Sequence, residues 1–354
     1  MRFHGGDLPS RMAPSPKILV IRRRYLGDVV LLGSLFRNLK LHWPDAQVVA
    51  AVEPAYAGIL GLNPDVDAVV SPPAGRFAWL GFVRRMRRER FTHVLDLDNT
   101  ERTALIARLS GAPFRLALHH GDHPLRLASL YTHRVHDPAA EHETHPITDY
   151  YLKALPPAGV PVVTREIRLE PRAADVAEWR RYVGAQGKVL LVHPGSRSPM
   201  RIWPADRFAA VCDRVQDELG AQVVLIGGPG DRDLVAQIQG RAKTHVISPS
   251  SALTQPLLAA LARVSTAFLC HDSGPMHVAA AVGTPVVALY GSQNPVLFTP
   301  AGTGHRLLIP AMPCAACVAP GTCVPADSYR NLCVRLHGVD EVFAAVRDVL
   351  GRTA

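Results

Sequence analysis

Three stretches of the chain join a turn-forming glycine to side chains that can move a proton or hold an anion. Arg22-Arg23-Arg24-Tyr25-Leu26-Gly27-Asp28 follows an apolar run and leads into a helical one, which puts a carboxylate at the edge of a sheet. Asp28 reads either as a helix cap, worth about 1 kcal/mol, or as a general base kept ionised by the helix dipole. His193-Pro194-Gly195-Ser196-Arg197 runs on to Arg201-Ile202-Trp203-Pro204. Its backbone N–H groups, the Ser196 hydroxyl and the arginines form either a pyrophosphate cradle or an ordinary strand-to-helix loop. His271-Asp272-Ser273-Gly274-Pro275-Met276-His277 opens an apolar helix. Small residues there bring a helix N-terminus close to an anion, with His277 one turn in; the plainer reading makes Asp272 or Ser273 a cap. Gly227-Gly228-Pro229-Gly230-Asp231 matches neither a phosphate-binding P-loop nor a dinucleotide fingerprint, so Asp231 is expected to cap a helix in preference to holding a ribose.

These motifs need a scaffold that delivers strand ends to one place. Lys17–Arg22, Gln47–Val52, Ala68–Ser71, His93–Leu97 and Phe114–Leu118 read as strands. Helical runs alternate with them, among them Asp28–Trp43 and Phe77–Glu89. The pattern breaks at Pro156–Pro161 and resumes with strands at Val189–His193, Gln222–Ile226, Ala267–Cys270 and Val286–Tyr290. Alternating strand and helix implies parallel sheets covered on both faces. The expected fold class is α/β, with two Rossmann-like domains facing each other and ligands in the cleft at the strand ends. The expected spans are a tail over 1–16, an N-terminal domain over 17–160, a C-terminal domain over 161–338 and a terminal helix over 339–354.

Length and composition agree with that plan. At 354 residues, two domains fit better than one, and 48% hydrophobic residues suffice for proper cores. No apolar run reaches the ~18 residues of a membrane span, and the polar Met1–Pro16 stretch lacks the apolar segment of a signal peptide. A cytoplasmic protein is expected. The net charge of +9 favours anionic partners. Nucleic acid is not among those expected, because no aromatic platform or nucleic-acid motif accompanies the charge.

Four other features compete for attention. Asp96-Leu97-Asp98 spells a two-carboxylate metal motif, but it ends a strand in the first half, and the expectation is only that Asp98 lines the cleft. Cys314, Cys317, Cys323 and Cys333 are spaced as C-x2-C-x5-C-x9-C, which suits free thiols in a reducing compartment, with a structural metal as the weaker alternative and disulfides the weakest. Seven histidines between His119 and His145 suggest a solvated basic loop near an anionic acceptor in preference to a metal site, because their spacing matches no familiar ligand pattern. The basic helix after Phe77 either packs on the sheet or lies on an anionic membrane surface.

The second and third motifs, with Leu225–Asp231 and the run VAAAVGTPVVALYG after His277, resemble glycosyltransferase family 9, the ADP-heptose:lipopolysaccharide heptosyltransferases. Arg22–Asp28, Trp43–Ala46 and Asn63–Asp67 match the same family, and the resemblance covers about Lys17 to about Leu350. The start of the chain, the spacing before Trp203 and the cysteine-bearing tail look most like its heptosyltransferase III branch. The resemblance implies a GT-B fold and an inverting, metal-independent transfer from ADP-heptose to the lipopolysaccharide inner core. It places the base on Asp28, the diphosphate contacts on Arg201 and Ser196, and ADP binding on Asp272, Ser273, Gly274 and His277. Asp231 is a weaker donor-side candidate, and Arg24 and Asp98 are weak acceptor-side ones. The family often has lysine where Arg201 stands, so charge is kept while the contact geometry changes. The resemblance also implies a lipopolysaccharide-core acceptor and no required cofactor, with peripheral contact at the inner membrane as a further expectation. Two other readings remain: a related transferase or epimerase using another nucleotide sugar, and an inactive assembly scaffold whose four tail cysteines hold a metal.

Overall fold

The computed structural model describes residues 15–73, 75, 77–121, 124–184, 187–250, 253–312 and 332–352. The first half contains β1 (Lys17–Ile21), α1 (Leu26–Leu31), α2 (Gly33–His42), β2 (Gln47–Ala51), α3 (Pro54–Leu60), β3 (Ala68–Val70) and α4 (Ala78–Arg88). It continues with β4 (His93–Asp96), α5 (Glu101–Leu109), β5 (Phe114–His120), β6 (His133–Asp137), α6 (Ala139–His142) and α7 (Ile147–Leu152). The second half contains α8 (Ala173–Val183), β7 (Val189–His193), α9 (Ala205–Leu219), β8 (Gln222–Leu225), α10 (Arg232–Arg241) and α11 (Gln255–Val264). It closes with β9 (Ala267–His271), α12 (Gly274–Ala281), β10 (Val286–Leu289), β11 (Arg306–Leu308), α13 (Leu332–Arg335) and α14 (Val339–Arg352).

Each half has its own parallel sheet. The first is ordered β3-β2-β1-β4-β5-β6 and the second β11-β10-β9-β7-β8. The central strands are buried on both faces, which is why they read as unbroken apolar runs. Chain direction across the sheet reverses beside β1 in the first half and beside β7 in the second. Ligands of doubly wound sheets sit outside the strand ends at such reversals. The loops after β1, β7 and β9 are the three stretches singled out from the sequence.

The expected helix over Asp28–Trp43 is two helices, broken at Leu32, and the first begins at Leu26. The break keeps α1 short, so its N-terminus is the part that faces the cleft. The expected basic loop over His119–His145 contains β6, an edge strand, together with α6. Its residues His133, Arg134 and His136 are polar and solvent-facing and only Val135 is apolar, so no apolar pattern announces the strand.

The segment past Pro161 stays with the first half before the chain crosses over. Asn38 in α2 accepts from the Val163 backbone N–H and donates to the Thr164 carbonyl, and Ile167 packs on Gly33. The chain then enters α8, which lies against α11. The terminal helix α14 packs on α9 and buries Val342, Phe343, Val346 and Val349 in the second half's core. Among the described residues, no helix is long and apolar enough to cross a membrane. Cys314, Cys317 and Cys323 lie outside the described residues, while Cys333 is half-buried.

Candidate active site

Asp28 occupies the first turn of α1, three residues after the Tyr25 that precedes the helix. Its Oδ2 accepts the Tyr25 backbone N–H at 3.0 Å, so it satisfies a helix-end donor without being the cap residue. Its Oδ1 accepts from Arg22 Nη2 at 2.8 Å and from the Tyr151 hydroxyl at 2.6 Å. A carboxylate oxygen has two lone pairs, so Oδ1 is filled and one site remains on Oδ2. Burial pushes the Asp28 carboxyl up, but the Arg22 charge and the Tyr151 and Tyr25 hydrogen bonds outweigh it and hold it below the usual range.

Across the cleft, Trp203 locks the two second-half motifs together. Its ring is fully buried and its Nε1 donates to the His337 carbonyl at 3.0 Å. Its backbone N–H donates to His271 Nε2 at 2.9 Å, tying the loop after β7 to the end of β9. Burial lowers His271 to about 3, so it stays a neutral acceptor. This anchoring puts Arg201 Nη1 3.4 Å from Asp272 Oδ1. With its amide turned oxygen-inward, Gln293 also accepts from Arg201 Nη1 at 2.8 Å.

Several polar atoms at the site are buried without a protein partner, among them Asp272 Oδ2, Arg201 Nε, His277 Nδ1 and His193 Nδ1. Unpartnered buried polar atoms are costly, and here they cluster where a polar ligand would satisfy them. Burial pushes the Asp272 carboxyl up to about 7, with Arg201 opposing. Burial also lowers His277 to about 4, although Asp28 draws it the other way. Ser273 stands at the head of α12, but its hydroxyl donates to the His271 carbonyl at 3.3 Å and caps nothing. In the first turn of α12, Pro275 has no N–H and the Met276 N–H donates to the Ser273 carbonyl at 3.0 Å, which leaves the Gly274 N–H at the helix head for an anion.

The halves meet through glycine. A Cβ on Gly27 would lie 2.8 Å from the His277 ring, and one on Gly274 would lie 2.9 Å from Leu26 Cβ. The Arg197 guanidinium lies over the Tyr25 ring, 3.9 Å from its centre. Two adjoining cavities open on this junction. One, of about 490 Å³, holds Asp28, Arg22, His142, Arg201, Asp272 and His277. The other, of about 640 Å³, holds Ser196, Arg197, Arg201, Asp231, Asp272 and Ser273.

The profile of glycosyltransferase family 9 (heptosyltransferase) matches residues 79–324, well over half of the chain. The chain belongs to glycosyltransferase family 9. It is 29% identical over 298 residues to lipopolysaccharide heptosyltransferase 3 of Escherichia coli K12, covering 78% of this chain and 83% of that protein. It is 27% identical over 307 residues to lipopolysaccharide heptosyltransferase 2 of the same strain, covering 80% and 85%. The crystal structure of the family 9 glycosyl transferase from Veillonella parvula superposes with a TM-score of 0.80 at 23% identity, covering 96% and 98% of the two chains. The structure of the E. coli ADP-heptose lipopolysaccharide heptosyltransferase II gives 0.76 at 21% identity, covering 95% and 99%. The architecture is therefore GT-B, and the chain is a glycosyltransferase.

Family 9 membership gives the cavity residues a context. Asp28, Ser196, Arg201, Asp231, Asp272, Ser273, Gly274 and His277 all line one or both cavities. Asp231 accepts the Gly228 N–H at 2.8 Å and presses against Gly195, where any Cβ would strike its carboxylate. It shapes the loop after β7 by that contact. Arg24 and Asp98 are not brought in. Arg24 faces solvent beside Glu53, and Asp98 is buried in an ion pair with Arg23. Asp96 gives its oxygens to the Tyr131 hydroxyl and to the backbone N–H groups of Asp98 and Asn99, so the pair presents no open metal site. The residues that sequence reasoning missed are Arg22, Tyr151, Gln293 and His142. Arg22 lies within the first motif and His142 within the histidine-rich stretch, while Tyr151 and Gln293 carried no signal.

Proposed function

We propose that this chain transfers a heptose from ADP-heptose to the inner core of lipopolysaccharide by a single inverting displacement, with no metal at the diphosphate. One observation carries the reading: an ionised carboxylate of one half and an arginine beside a helix N-terminus of the other face the same cavity. The donor diphosphate lies over the Ser196 loop and the head of α12, where Arg201 and backbone N–H groups offset the charge growing on the leaving ADP. The acceptor hydroxyl enters from the first half and attacks the anomeric carbon from the face opposite the diphosphate. The new C–O bond forms as the bond to ADP breaks, ADP keeps the electron pair, and the hydroxyl proton passes to Asp28 Oδ2.

The acceptor side faces a lipid surface in this reading. On α4, Arg84, Arg85, Arg87 and Arg88 are exposed, as is Leu80. Phe77 just before the helix is wholly exposed, while Trp79, Phe82 and Met86 pack on the core. Exposed arginines beside two exposed apolar side chains suit a headgroup layer, each cation contributing about 1 kcal/mol near an anionic membrane.

The test is calorimetric binding of ADP and other nucleoside diphosphates, without added metal, to wild type and Asp272→Ala. Preference for ADP that is lost in the variant supports the donor assignment, and a transfer assay with ADP-heptose completes it. Preference for UDP or GDP would keep the architecture and discard the heptose. No binding to any nucleotide would overturn the reading.

A further inference from the structure

A second cluster of chemistry lies at the end of β6, apart from the donor residues. The Asp137 carboxylate there is fully buried. Its Oδ1 pairs with Lys153 Nζ. Its Oδ2 turns the other way, 2.8 Å from His142 Nδ1 and 3.4 Å from His145 Nε2. One ligand atom from each of these three residues falls within 4.8 Å of the others. His145 Nε2 is buried and makes no hydrogen bond, although a carboxylate oxygen is its neighbour. A buried imidazole nitrogen with no hydrogen bond of its own, next to a carboxylate oxygen, is a polar atom that a bound ion would satisfy. Two imidazoles and one carboxylate oxygen form a donor set that zinc-class ions prefer.

We propose that Asp137, His142 and His145 form a binding site for one divalent transition-metal ion of the zinc class. Bonds of about 2.0–2.1 Å from a tetrahedral ion set ligand atoms about 3.3 Å apart. The present separations of 2.8 Å and 3.4 Å bracket that value. Ligation needs one proton to move. In the structure's hydrogen bond, His142 carries it on Nδ1, because an ionised carboxylate only accepts. When the metal takes Nδ1, the proton moves to Nε2 and the ring stays neutral. Lys153 holds Asp137 Oδ1 from behind, so the carboxylate offers Oδ2 alone, as outer partners of metal ligands commonly arrange.

The place of the site gives the ion a structural effect. It would staple the end of β6 to α6 and to the loop that leads into α7, the helix that delivers Tyr151 to Asp28. His142 also lines the cavity that holds Asp28, so the site adjoins that cavity. This role is separate from the diphosphate and does not enter the transfer step.

The experiment uses the metal-stripped full chain with Cys314, Cys317, Cys323 and Cys333 all changed to serine, so that the tail thiols cannot compete. Zinc is titrated calorimetrically and cobalt spectroscopically. The expected result is one equivalent bound per chain, a rise in Tm on loading, and a cobalt spectrum without thiolate charge-transfer bands. Loss of an outer partner of a metal ligand typically weakens binding about 10–100-fold. His142→Ala and His145→Ala should each cost at least that much, whereas His136→Ala, which pairs with the Gly121 carbonyl, should cost nothing. Circular dichroism of each variant checks that it folds. Absence of binding to the cysteine-free chain overturns the proposal, and so does binding that folded His142→Ala and His145→Ala chains retain. No sugar or nucleotide enters the measurement, so its failure would leave the transferase reading untouched, and failure of ADP binding would leave the metal site standing.

Discussion

The Tyr151 hydroxyl donates a 2.6 Å hydrogen bond to Asp28 Oδ1, joining residues 123 positions apart in the chain. Together with Arg22 it fills one carboxylate oxygen and leaves the other to face the cavity. The pair orients the carboxylate and sets its acidity at the same time.

That pairing predicts a pH effect. Burial raises the Asp28 carboxyl, but Arg22 and Tyr151 keep it below the usual range, so wild-type turnover should stay level as pH falls through the ordinary carboxylate region. Tyr151→Phe removes a donor to the anion, raises the Asp28 pKa, and should move the acidic limb of the kcat profile to higher pH. Asp28→Asn should lower turnover by about 10²–10⁴-fold with ADP binding kept, which single-turnover rates and calorimetry together will read.

Arg201 should separate charge from shape. Removing one preorganised donor to developing negative charge typically costs about 10²–10³-fold in kcat. Arg201→Gln is expected in that range, and Arg201→Lys should lose less, because a point charge replaces a planar fork at constant charge. Equal losses in the two variants would mean that the fork itself, gripping Gln293 and Asp272, is what the site requires.

Asp272 predicts the pH dependence of donor binding. Burial places its carboxyl at about 7 against the pull of Arg201. Below that value it is neutral and can donate to a diphosphate. Above it, a second negative charge faces the ligand. ADP affinity measured by calorimetry should fall as pH rises past 7, by up to about tenfold per unit if ionised Asp272 excludes the ligand. Asp272→Asn, which keeps a donor and cannot ionise, should flatten the curve.

Gly27→Ala should disturb both binding and stability. The added methyl would stand 2.8 Å from the His277 ring, too close unless α1 or α12 shifts. Overpacking of this kind typically costs about 1–3 kcal/mol. A lower Tm with a raised KM for the donor sugar is the expected pair. Gly75→Ala, where a Cβ meets nothing, is the control.

Much of the site was legible because it lies on turns between strands and helices. Gly27, Gly195 and Gly274 mark those turns, and each motif delivers its polar side chains within a few residues of its strand. What stayed hidden arises from distance along the chain. Tyr151 sits on a short helix with no motif around it, and only the fold carries it to Asp28. Arg24 and Asp98 looked suitable by type, yet salt bridges to Glu53 and Arg23 occupy them. β6 escaped because an edge strand facing water has no need of the apolar pattern that reveals a buried one. The break at Leu32 was equally silent, since apolar spacing continues across it.

The close contact of Gly27 with His277, and of Gly274 with Leu26, has a mechanical consequence. Glycine backbone pressed directly on a neighbouring side chain is stiff against compression but tolerant of rotation. If the two halves rock, the axis that disturbs least passes through this junction, and displacement grows with distance from it. Asp28 lies beside the axis and would barely travel, while the far lips of the cleft swing through the longest arcs. Substrates could then come and go at the rim without the base losing its distance from the head of α12.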